Sequence, residues 1–86
     1  MLSATEAASR AVEHVTGMTG RAAECVVGIE RREEGGWRVA VEVVEIHRIP
    51  DSADILAIYD TEVDADGELV GYHRARRYPR GRVERS

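Results

Sequence analysis

Apolar residues recur at Ala8, Ala11, Val12 and Val15, the three-to-four-residue spacing of a helix with one buried stripe. Ser3 and Glu6 stand where a capping box needs them, so the pattern predicts a helix over about 3–16. Gly17 reads as its stop, and Gly20 extends the loop that follows. The stripe is narrow and Ala-rich, which suits close packing on a sheet.

Beyond that point the period changes from helical to alternating, with β-branched residues in short runs between turn signals. Glu24 to Arg32 reads as a first strand, and Glu33-Glu34-Gly35-Gly36 as a hairpin connection. In Trp37 to His47, residues Trp37, Val39, Val41 and Val43 alternate with Arg38, Ala40 and Glu42, which defines one buried and one polar face. The alternation breaks past Val43, as at a bulge. Trp37 reads as a core anchor, and the Val-rich run as a central strand. Pro50, Asp51 and Ser52 mark a turn within the longest irregular connection, Arg48 to Asp54.

Ile55 to Val63 and Glu68 to Tyr78 give the third and fourth strands, joined at Asp64-Ala65-Asp66-Gly67. Two registers are open for this hairpin. If Val63 faces Glu68, Tyr59 pairs with Tyr72; a three-residue loop puts Tyr59 opposite His73. The fold class is therefore α+β, one N-terminal helix packed on a four-stranded antiparallel meander whose other face stays free. Its 86 residues suit a single domain, with the sheet over about 24–78 and a basic, frayed tail over 79–86.

The formal net charge of -4 conceals an uneven distribution. Residues 1–70 carry six Arg against fifteen acidic residues, a balance of -9, whereas residues 71–86 carry six Arg against Glu84, a balance of +5. Cys25 is the only cysteine, so no internal disulfide can form, and its neighbours Val26 and Val27 suggest a small buried hydrophobe. Neither a signal peptide nor an apolar run long enough for a membrane span is recognisable, so a cytoplasmic, soluble protein without membrane partners is expected.

The ordered series Gly36-Trp37-Arg38-Val39-Ala40-Val41-Glu42-Val43-Val44-Glu45, then Arg48-Ile49-Pro50-Asp51, then Asp54-Ile55-Leu56-Ala57-Ile58-Tyr59, resembles the gas vesicle protein O family. The likeness continues through Asp64-Ala65-Asp66-Gly67-Glu68-Leu69-Val70-Gly71-Tyr72 and Arg74-Ala75-Arg76-Arg77-Tyr78, and covers roughly residues 24–80. The stretch from Tyr59 to Gly67 also resembles the strand-turn-strand of PepSY-type modules, which share the helix-then-meander layout. The family resemblance implies an accessory role in forming gas vesicles, the hollow protein-walled organelles that make cells buoyant, with other gas vesicle proteins as partners. With 33% charged residues, the chain is unsuited to a gas-retaining wall.

No spacing supports catalysis, a cofactor or a metal. His14, His47 and His73 do not fall at ligand spacing, and a calcium loop framed on Asp64–Glu68 would need a bidentate Glu where His73 stands. Tyr72, Arg74, Arg76 and Tyr78 project from one face of the fourth strand under strict alternation, and with Arg77 and Arg80 they form the candidate partner-binding site. The sequence directs Arg74, Arg76 and Arg77 at an acidic partner; the competing assignment pairs them with the chain's own Glu42, Glu45 or Glu62. The alternative function is a nucleic-acid-binding regulator using Arg74, Arg76, Arg77, Arg80 and Arg82, disfavoured by the acidic body. A weak homodimer through a sheet edge is a further expectation.

Overall fold

The computed structural model describes residues 2–50 and 53–81, so the expected turn at Asp51 and Ser52 and the tail beyond Gly81 lie outside the described residues. A helix, α1 (Ala4–Thr19), precedes four strands, β1 (Ala23–Arg31), β2 (Trp37–Ile46), β3 (Ile55–Val63) and β4 (Leu69–Pro79). The strands form one antiparallel sheet in the order β1-β2-β3-β4, which is the expected meander with β2 and β3 inside.

The capping box closes as the sequence implies. Glu6 N–H donates to Ser3 Oγ, and Ser3 N–H donates to Glu6 Oε1 at 2.9 Å. The helix end differs from expectation: α1 runs through Gly17 and stops at Gly20. Gly20 takes the left-handed conformation at φ 71° and donates its N–H to Thr16 O, so the C-cap falls where positive φ is needed. Thr19 Oγ1 meanwhile bonds Val15 O at 2.7 Å, holding the last turn.

Ala7, Ala11 and Val15 form the buried stripe of α1, and Ala11 and Val15 pack against Val39, Val41 and Val43 of β2 and Ala57 of β3. All three β2 valines are fully buried, as the alternation requires. Trp37 is half-buried against this cluster; its Nε1–H donates to Leu2 O at 3.3 Å and the Arg31 guanidinium lies 5.1 Å from the ring centroid. The helix lies over β2 and touches β1 and β3 on either side, yet eight of the nine residues of β1 stay exposed. Cys25 is among them, so the expectation of a buried thiol is corrected: it sits on the edge strand, opposite Glu42, outside the helix's cover.

The last hairpin follows neither register as written. Asp64 N–H donates to Glu68 O, and Gly67 N–H to Asp64 O, which is the three-residue loop. An extra residue at Val70 then shifts the pairing, so Thr61 faces Tyr72 and Tyr59 faces Arg74. Tyr59 and Tyr72 still touch diagonally, with ring centroids 5.9 Å apart.

Two glycines supply a matched test. At Gly17 an added Cβ meets nothing within 4 Å and the backbone needs no positive φ, so Gly17→Ala should stabilise the protein by about 0.5–1 kcal/mol. At Gly36, φ is +89° and a Cβ would lie 2.1 Å from Val63 O, so Gly36→Ala should cost more than about 2 kcal/mol. Urea unfolding of the two variants beside the parent checks both signs.

Candidate functional site

The basic segment belongs to β4 and the residue after it, at the same end of the sheet as the C-terminus of α1 and the β2–β3 connection. Two bulges control where its side chains point. On β2, Val44 pairs with Leu56 and Ile46 with Ile55, leaving Glu45 as the extra residue where the alternation was expected to break. On β4, Arg74 pairs with Tyr59 and Arg76 with Ile58, leaving Ala75 extra.

The Ala75 bulge overturns the single-face arrangement. Tyr72, Arg74 and Arg77 align with Thr61, Tyr59 and Ala57 on the helix-covered face, whereas Arg76 and Tyr78 align with Ile58 and Leu56 on the free face. One unpaired residue reverses the inside-outside order of everything beyond it. The strand thus presents guanidinium groups on both faces.

On the covered face the cations gather around Glu45, which is 8% exposed. Arg74 Nη1 lies 3.0 Å from its Oε2, and Arg77 Nε lies 2.9 Å from its Oε1. Arg21, just past the helix, donates to the Glu45 backbone carbonyl. The expectation that Arg74 and Arg77 avoid the chain's own carboxylates is therefore corrected. A carboxylate with so little access to water needs ionic partners to remain charged. Two cations share one anion, and their side chains remain 47% and 48% exposed, so positive charge is left over at the surface.

On the free face, the Arg76 guanidinium lies 5.5 Å from the Tyr78 ring centroid, and Tyr78 O–H donates to Glu42. Cys25 lies beside the same carboxylate; partial desolvation and Glu42, 3.7 Å away, push its thiol above the ordinary value, away from nucleophilic character. Arg38 bridges Glu30 at 2.9 Å and Glu62 at 4.0 Å, and Arg32 reaches Glu62 at 3.1 Å. Much of this face is thus occupied by cross-strand ion pairs.

Arg80 closes the far end. It joins Asp54 at 3.2 Å and Glu24 at 2.5 Å, and its backbone N–H donates to Asp54 O. Asp54, 1% exposed, also accepts from Arg48 N–H at 2.7 Å and faces His47 Nδ1 at 3.2 Å. The Arg48 N–H first, then His47 and Arg80, hold its carboxyl below the ordinary value of 3.8. Arg80 is shifted upward, chiefly by its bond to Glu24. The sequence named the basic members contributed by β4 and Arg80, but not Arg21; the acidic counterparts Glu24 and Asp54 were missed as well, because three separate elements bring them to Arg80.

Among the described residues no group of three or more His, Cys, Asp or Glu is placed to hold a metal ion, and no helix is long and apolar enough to cross a membrane.

The family described as gas vesicle synthesis protein GvpO matches residues 1–84. The chain is 54% identical over 69 residues to gas vesicle protein O of Streptomyces sp. (strain CB03234), covering 80% of this chain and 53% of the relative. It is 41% identical over 58 residues to gas vesicle protein O of Haloferax mediterranei, covering 67% and 41% of the two chains. It is 38% identical over 78 residues to gas vesicle protein O1 of Halobacterium salinarum, covering 91% and 59%. The chain spans about half the length of these relatives. No solved structure matches it significantly.

The Asp54 cluster predicts an acid-sensitive end. A carboxyl held below its usual value adds stability that is complete above the unfolded-state value of about 3.9 and is lost as pH falls through the folded-state one. Asp54→Asn should lower stability at neutral pH and flatten its fall below about pH 4. Urea midpoints across a pH series check both.

Proposed function

The chain belongs to the gas vesicle protein O family, and we propose that it is an accessory protein needed for gas vesicle formation, acting as a protein-interaction module without chemistry of its own. The relatives carry gas vesicle names, and the match over residues 1–84 ties this chain to that process. The observation that carries the finer reading is the cation excess around Glu45, where Arg74 and Arg77 share a single buried carboxylate and stay half-exposed.

An acidic partner is the natural complement of that end. The uneven charge gives the chain a directional field that accelerates encounter, and Tyr72, Tyr78 and the Arg side chains supply the residue types that dominate interface energies. The site comprises Arg76, Arg77, Tyr78 and Arg80, with Tyr72 and Arg74 at its covered margin. The working compartment is the cytoplasm, where gas vesicles assemble. Nucleic acid is the weaker reading: Glu30, Glu42, Asp60 and Glu62 share the free face with Arg76 and would repel a polyanion.

Reversing Arg74 would set a second acid against buried Glu45 and confuse folding with binding. The test is Arg76→Glu combined with Arg77→Gln, which leaves Arg74 on Glu45. The purified double variant should keep its circular dichroism spectrum and a cooperative melt, shifted down by a few degrees for the lost Arg77–Glu45 pair, lose retention of other gas vesicle proteins in pull-down at low salt, and fail to restore vesicles in a deletion strain. Normal vesicles from the folded variant would contradict the assignment, and salt-sensitive retention of duplex DNA by the parent would favour the nucleic-acid reading.

A further inference from the structure

We propose that two copies of this chain pair antiparallel through β1, joining their sheets into one of eight strands with both helices on the same face. β1 is an outer strand whose far side offers unpaired backbone groups, and its exposed residues include Val26, Val27 and Ile29 at 37%, 49% and 40%. Val26 and Ile29 align with Val41 and Val39, so they point to the helix side of the sheet, where α1 leaves them partly exposed. Val27 is the extra residue of a bulge between Val26 and Gly28.

The occupant is fixed by self-complementarity. Between Cys25 and Ile29 the strand carries no charge, Glu24 stands at one end, and Glu30 followed by Arg31 and Arg32 stands at the other. The antiparallel register that sets Val26 opposite Ile29 of the twin sets Glu24 opposite Arg31, whereas in-register parallel pairing would set each charge against its like. The other edge, β4, is unsuited: antiparallel pairing of its middle would set the Arg74, Arg76 and Arg77 groups of the two copies against each other.

The helix is shaped for the same contact. Arg10 and His14 lie on the flank toward the β3–β4 turn, where His14 Nε2 is 2.9 Å from Gly67 O. By helical spacing, Thr5, Ser9, Val12 and Thr16 fall on the opposite flank, which overlooks β1 and bears no charge. A two-fold axis perpendicular to the sheet keeps the two helices on one side. Val26 and Ile29 of both copies then floor a trough between those neutral flanks. Both outer edges of the combined sheet are β4, so assembly stops at the dimer.

Sedimentation equilibrium over a concentration series tests this with the whole chain. The parent should approach twice its 9.5 kDa, and Val27→Asp with Ile29→Lys, which leaves net charge unchanged, should stay monomeric with an unaltered circular dichroism spectrum. Val70→Lys on β4 should still dimerise. A parent that remains monomeric throughout, a β1 variant that still dimerises, or loss of the dimer on altering Val70 would each overturn the proposal. Should the β1 variant fail to fold, amide exchange on the parent decides: protection along β1 that grows with concentration supports the pairing, and concentration-independent exchange there refutes it.

Discussion

The contact of Ala11 and Val15 of α1, with Ala7 buried one turn before them, on the Val39–Val41–Val43 stripe of β2 is the interaction on which the other features depend. Burial of each valine contributes about 1.5–3 kcal/mol, and the two alanines let the helix axis approach the sheet closely. With so few large side chains in the core, the helix has one good seat, over β2. Its cap at Ser3 and its stop at Gly20 bound it there, and one narrow helix leaves the β1 edge strand largely exposed.

The same core forces the polar arrangement around it. Beyond Val43 the β2 strand must leave the helix stripe, and the extra residue it uses is Glu45, nearly excluded from water at the covered face. A carboxylate there requires cations, and the Ala75 bulge on β4 brings Arg74 and Arg77 to the covered side while sending Arg76 and Tyr78 to the other. Structural pairing and surface charge are therefore properties of the same strand, separated by one residue. Charge that looks like a continuous strip in the sequence is divided between holding the fold together and facing outward.

Much of this was legible in the sequence because it rests on local chemistry. The capping box, the buried valine alternation, the inner position of β2 and the break past Val43 each follow from residues a few positions apart. Gly17 misled because glycine caps a helix when its φ is positive, and here the positive φ falls at Gly20, three residues farther on. Strict alternation misled on β4 because no local signal distinguishes Ala75 from a paired residue. Cys25 was misplaced for a third reason: its apolar neighbours report strand propensity, whereas burial depends on where the helix settles. The Asp54–Arg80–Glu24 cluster joins parts of the chain that only the fold brings together.

The division of β4 by its bulge can be measured most directly with double-mutant cycles on stability, pairing Glu45→Gln in turn with Arg77→Gln and with Arg76→Gln. Residues in direct ionic contact should show a coupling of about 1 kcal/mol, and residues on opposite faces should be additive within about 0.5 kcal/mol. The geometry predicts coupling of Glu45 to Arg77 and none to Arg76. Equal coupling to both, or coupling to Arg76 alone, would contradict the account.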